Sequence, residues 1–105
     1  MSNSPLIQPP FLQYQDHSWV RETLRQLSLE EKIAQLIHIP SWSNRGESHV
    51  KEVEALVKND GIGGICFFQG STTAQRRQTE HYQSISKVPI LISQDAEWGL
   101  AMRLS

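Results

Sequence analysis

The strongest constraint on this chain is the order in which two hydrophobic periods alternate. Val50, Val53, Leu56 and Val57 recur at helical spacing, and Asn59-Asp60-Gly61 supplies residues that tolerate a left-handed helix end. Ile62 to Phe68 then forms a short run of β-branched, aromatic and glycine residues, closed by Gln69-Gly70-Ser71. Residues 72 to 86 return to a polar helical pattern, with Ala74, Tyr82 and Ile85 on a weak apolar face, and Ile90 to Ser93 is apolar again. Helix and strand in turn, with short connections, predict an α/β fold whose parallel strands are joined by crossovers. The strand runs are continuous rather than alternating, which predicts that both faces are covered.

Upstream, Trp19, Val20, Leu24 and Leu27 indicate a short helix. Ser28-Leu29-Glu30-Glu31 has the form of a capping box, in which the Ser28 hydroxyl and Glu31 carboxylate each satisfy a backbone N–H of the other. Leu29, Ile33, Leu36 and Ile37 mark one face of the helix that follows. Leu36 to Pro40 can equally open a first strand, and periodicity does not place the switch. Ser41 to Ser48 reads as a loop, and residues 1–17, with Pro5, Pro9 and Pro10, as an extended lead-in to a domain spanning 18–105.

Ten Lys and Arg against eleven Asp and Glu give a net charge of −1. No basic cluster is present to displace nucleic-acid counterions, so no nucleic-acid partner is expected; Arg76-Arg77 reads as a solvated helix face. No run approaches the roughly 20 apolar residues of a membrane span, so no membrane partner is expected either. The N-terminal segment has neither the charged start nor the apolar core of a signal peptide. The single cysteine, Cys66, is expected as a small buried residue. His17, His38, His49 and His81 are scattered without metal-ligand spacing, so no metal is expected. Gly61-Ile62-Gly63-Gly64 precedes a strand, whereas a phosphate-binding loop follows one; its glycines mark close backbone approach.

The chemistry concentrates in Asp95-Ala96-Glu97-Trp98-Gly99, just past the carboxyl end of the last apolar run. In α/β proteins that is where ligands bind, because the loops there line the crevice and the strands hold them rigid. Paired carboxylates serve glycoside hydrolysis when they flank the scissile bond. Either can instead cap a turn or pair with Arg103, a role that suits Glu97 better than Asp95, which lies nearer the strand end and is the better ligand holder. Trp98 either stacks on a sugar ring or plugs the mouth of the sheet.

Three blocks in this order, Leu27 to Leu36, Gly61 to Ile65, and Ile90 to Gly99 with Arg103, resemble the N-terminal domain of glycoside hydrolase family 3, in particular its bacterial β-N-acetylglucosaminidase branch. The likeness runs over residues 18–105. It implies an incomplete TIM-type (β/α)8 barrel, roughly the first three β/α units, from an enzyme that cleaves β-linked sugars with retention. It also implies that Asp95 binds hydroxyls of the substrate sugar and is not the nucleophile, and that Arg103 organises the loop. Where the family carries Asp-x-Glu-Gly-Gly, Trp98 replaces the first glycine and adds a wall to the pocket, while Gly99 keeps the second.

The family's Lys-His-Phe-Pro-Gly-His-like stretch, its His-Asp acid/base loop and its nucleophilic aspartate have no counterpart here. The resemblance places the nucleophile and the acid/base group downstream of Ser105, so no catalytic residue is expected among these 105. A complete barrel needs about 250 residues. The expectation is therefore an N-terminal piece of a glycosidase, inactive alone and without a cofactor. Its Asp95 would bind a carbohydrate, with Glu97, Trp98 and Arg103 beside it. Its open sheet edge would favour self-association. Two other readings are a non-catalytic module that docks on a partner chain, and a miniature active site built on Asp95 and Glu97.

Overall fold

The computed structural model describes residues 8–105. The N-terminal lead-in is not extended throughout: Pro10–Tyr14 close a 3₁₀ turn, and its first seven residues lie outside the described part. Helix α1 (Ser18–Gln26) follows, its first turn capped by the His17 ring, which accepts from the Trp19 N–H. Helix α2 (Leu29–Ala34) opens with the expected capping box. Ser28 Oγ accepts from the Glu31 N–H at 3.2 Å, and Glu31 Oε2 accepts from the Ser28 N–H at 2.8 Å. The Lys87 ammonium, 2.7 Å from the other Glu31 oxygen, and the Ser28 N–H hold this carboxyl below its ordinary range.

The switch that periodicity leaves open falls after Ala34, and strand β1 is His38–Ser41. Helix α3 (Glu47–Ala55) runs into a π-helical turn, Leu56–Asp60, which ends at Gly61 with φ 69°. That left-handed conformation is the one glycine adopts without penalty. Strand β2 (Gly64–Phe67), helix α4 (Thr72–Ile85), strand β3 (Leu91–Gln94) and a 3₁₀ turn at Leu100–Met102 complete the described chain.

The three strands form one parallel sheet in the order β1-β2-β3, with Ser41, Phe67 and Gln94 in register. The order does not reverse, so crossovers of one hand bring both α3 and α4 to the same face. There Val53, Val57 and Tyr82 pack with Ile65, Phe67, Ile62 and Ile90 as a single core. The expectation of two covered faces is therefore wrong. His38, Pro40, Leu91 and Ser93 are exposed on the other side, and Leu91 keeps 66% of its surface in solvent. The central strand comes nearest to the burial that its apolar run predicts, being buried except at Cys66. Cys66 accordingly lies half-buried toward the bare face rather than in the core.

The glycines before β2 are needed for close approach. A Cβ on Gly63 would stand 1.8 Å from the Gln35 carbonyl oxygen, and one on Gly64 2.5 Å from the His38 ring. The Gly63 N–H donates to the Ala34 and Ile37 carbonyls, locking the end of α2 to the foot of β2.

Candidate functional site

The sheet register carries on beyond the strands at their carboxyl ends. The Phe68 N–H donates to the Ser41 carbonyl at 2.8 Å, and the Asp95 N–H to the Phe67 carbonyl at 3.4 Å. Trp42, Phe68 and Asp95 therefore stand side by side, one residue past Ser41, Phe67 and Gln94. By strand alternation they belong to the face opposite the helices. Three strand ends thus present two aromatic rings and a carboxylate to one mouth.

Arg103 fixes the carboxylate. Its Nε donates to the Asp95 carbonyl, and its Nη2 donates to Asp95 Oδ2 at 3.1 Å. The guanidinium lies over the Phe68 ring, 4.8 Å from its centroid. The backbone of Arg103 is tied down as well, since its carbonyl accepts from the Gly70 N–H. Two residues on, the Ser105 N–H donates to the Gly70 carbonyl at 3.2 Å, so Gly70 grips the segment on both sides of Leu104. The arginine side chain is 14% exposed and the aspartate 48%. The cation is thus largely covered, while the carboxylate still faces solvent with one oxygen outside the pair.

Trp42 completes the mouth. Its ring stacks on Phe68 with centroids 5.2 Å apart and planes at 25°. Its backbone N–H donates to His49 Nε2 at 3.2 Å, and the buried Ser41 hydroxyl lies 3.2 Å from the same nitrogen. His49 on α3 thereby sets where the strand ends and the indole begins. A cavity of about 440 Å³ opens on the far side of the Arg103 turn, lined in part by Ser43, Gln69, Met102, Arg103 and Ser105. A roomier one, about 510 Å³, lies between α3 and α4 and includes none of Trp42, Phe68 and Asp95.

Of the four residues singled out from sequence, the structure joins two. The ion pair with Arg103 falls on Asp95, not on Glu97 as its position suggested. Arg103 ties Asp95 to the turn that follows it. Glu97 is exposed and enters no ion pair among the described residues. Trp98 plugs nothing: it is 86% exposed, with its backbone N–H donating to the Met102 sulfur. Ser105, named from sequence only as the point beyond which the nucleophile and the acid/base group are expected, is exposed and held by its backbone on the Gly70 side of the turn. It is not part of the mouth formed by Trp42, Phe68 and Asp95. No group of three or more His, Cys, Asp or Glu among the described residues is placed to hold a metal. No helix among them is long and apolar enough to cross a membrane.

Trp42, Phe68 and His49 were not found from sequence. Trp42 falls in a polar stretch read as loop, and Phe68 continues an apolar run. The signal was available in the register: Trp42 and Phe68 stand at the alternation position that Asp95 occupies after β3. No protein-family model matches this chain, and no curated protein matches it.

Proposed function

We propose that this chain carries the sugar-binding strand end of a retaining glycoside hydrolase of the family 3 type, acting on β-linked sugars of the N-acetylglucosaminide class. The observation that carries the reading is Asp95, half-exposed at the carboxyl end of β3 and held in one orientation by the largely buried Arg103. A fixed carboxylate accepts hydrogen bonds from sugar hydroxyls, and charge-assisted bonds of that kind are the stronger ones. Trp42 and Phe68, stacked on each other and half-buried, stand beside it at the ends of β1 and β2. The unreversed strand order, with both helices on one face, is the winding expected of a barrel whose inner wall is the bare face.

In this reading Asp95 binds and orients and does no bond-breaking. Retaining hydrolysis needs a nucleophile and an acid about 5–5.5 Å apart across the scissile bond. One oxygen of Asp95 is already engaged by Arg103, which suits a carboxylate that holds a ligand still rather than one that attacks it. In this reading none of these 105 residues serves as the nucleophile or the acid/base group. The chain alone is expected to release no nitrophenol from a nitrophenyl N-acetylglucosaminide, yet to bind N-acetylglucosamine weakly. The binding test is NMR titration of the ¹⁵N-labelled chain. Amide shifts at Trp42, Phe68 and Asp95 are expected, and Asp95→Asn should weaken binding about tenfold, as loss of a charge-assisted bond does. Turnover by the chain alone, or shifts confined to other parts of the molecule, would overturn the proposal.

A second reading is favoured by one observation, the bare sheet face. An α/β module that docks on a partner chain would use Leu91 and the exposed strand edge as its contact. Stoichiometric co-purification of a second chain, lost in a Leu91→Lys variant, would support it over the sugar site.

A further inference from the structure

Two donors share one nitrogen at the end of β1. The Trp42 backbone N–H donates to His49 Nε2 at 3.2 Å, and the Ser41 hydroxyl lies 3.2 Å from the same atom. A backbone amide can only donate, so Nε2 offers its lone pair and the ring proton sits on Nδ1. Nδ1 lies 3.9 Å from Glu52 Oε2. The Ser41 hydroxyl is fully buried and has no other partner among the described residues. A hydroxyl both donates and accepts, so it can face Nε2 whether or not that atom carries a proton; the Trp42 N–H cannot.

The place of that N–H gives the contact its weight. The Phe68 N–H donates to the Ser41 carbonyl on the β2 side of β1. Across a trans peptide the next N–H points the opposite way, so the Trp42 N–H faces the open edge of the sheet. No strand among the described residues lies there to accept it, and His49 does so instead.

We infer that His49 is an acid-released latch on the mouth: a proton taken from solvent at Nε2 turns that atom into a donor, which keeps Ser41 and lets go of the Trp42 N–H. Trp42 then loses its backbone anchor, while Asp95 keeps its own on Arg103. The latch is independent of what the mouth binds. The charged groups around the ring are few. Glu52 on α3 stands at ion-pair distance, and Arg45, in the turn after β1, lies over the Trp42 indole. Arg103 is farther off, over Phe68. Glu47, on the same helix, pairs with Lys51. On α4, Arg77 and His81 line the groove beside α3, and His81 pairs with Glu54.

The test follows the Trp42 amide and the His49 ring by NMR in the whole chain from about pH 8 to about pH 5, the range in which imidazoles exchange their proton. Neutral His49 should show the Nδ1–H tautomer. The Trp42 amide should shift with the same midpoint as the His49 ring protons. Its protection against hydrogen exchange, corrected for pH, should fall about tenfold below that midpoint, the size of one hydrogen bond. The Phe68 amide, held by the Ser41 carbonyl, should keep its protection. His49→Gln supplies an acceptor that takes up no proton, so the Trp42 response should vanish. Ser41→Ala removes the acceptor for the Nε2 proton, so the response should move to lower pH. A neutral ring with its proton on Nε2, or a ring that stays neutral down to about pH 5, would overturn the latch. So would a Trp42 amide indifferent to the His49 titration, a response that survives in His49→Gln, or one unmoved in Ser41→Ala. None of these readouts involves a sugar, so failure of the latch and failure of the Asp95 reading are told apart.

Discussion

A methyl group at Gly63 would collide with the Gln35 carbonyl oxygen at 1.8 Å, and the Gly63 backbone is already hydrogen-bonded to Ala34 and Ile37. It cannot yield without separating α2 from β2. Gly63→Ala should therefore destabilise the fold by about 3 kcal/mol or more, at the upper end of overpacking costs; denaturant unfolding followed by circular dichroism measures it. Tyr82 offers the opposite case. Its side chain is fully buried and its hydroxyl has no hydrogen-bond partner among the described residues, so a polar group is desolvated without return. Tyr82→Phe should be neutral or stabilise by up to about 1 kcal/mol at neutral pH. Burial, and then the negative charge of Glu54, push the phenol from 10.0 up to about 12. The folded state therefore keeps a proton that the unfolded state loses, and the stability tied to it is complete below pH 10 and lost as pH climbs to about 12. Melting temperatures of the native chain should fall faster than those of Tyr82→Phe across that window. Parallel curves would show that Tyr82 does not titrate with folding.

At the scale of elements, the Gln83 amide makes a pairing that no sequence period signals. Its Nε2 donates to the Ile90 carbonyl at 2.7 Å, and its Oε1 accepts from the Ile90 N–H at 2.9 Å. A side chain on α4 thus imitates a neighbouring strand and satisfies the buried residue that leads into β3. Gln83→Leu keeps the size but leaves both Ile90 groups unpaired, at a cost of about 2–3 kcal/mol. Ser84→Ala, on the exposed side of the same helix, should lie within about 0.5 kcal/mol of the native chain. Hydrogen exchange at Ile90 should accelerate in the first variant only. Much of the local structure was legible: the capping box at Ser28 and Glu31, the helix end at Gly61 and the second and third strand runs lie where local patterns place them, while the first strand was left open between helix and strand. What was not legible is how the elements meet. Trp42 looks like loop until its register with Phe68 and Asp95 is known. Arg103 has two carboxylates of nearly equal sequence distance to choose from, and only the turn at Leu100–Met102 decides for Asp95. Pairing across separate segments depends on three-dimensional closure, which short-range periodicity does not encode.

The molecule as a whole is a slab. Its extents are 54 × 37 × 18 Å, and the short axis matches one layer of helices on one sheet. The radius of gyration, 16.7 Å, exceeds the about 13 Å of a compact domain of this length. Two apolar surfaces stay uncovered among the described residues. The bare sheet face exposes Leu91, and α2 with the segment after it exposes Leu29, Ile33 and Leu36, the last at 84%. Of the apolar stripe read from the sequence, only Leu29 and Ile33 lie on α2; Leu36 and Ile37 fall after the helix ends at Ala34. Parallel strands flanked on one side only are rare in isolation, because their unpaired edges and apolar face invite further pairing. The chain should therefore self-associate as concentration rises, with weight-average mass in sedimentation increasing and a hydrophobic dye such as ANS binding strongly. Leu91→Lys places a charge on the bare face beside the β3 edge without touching the core under α3 and α4. It should lower both readouts while preserving the circular dichroism spectrum. A native chain that stays monomeric with weak dye binding would mean that this face is covered in solution. The inner-wall reading of the sheet would then lose its physical basis.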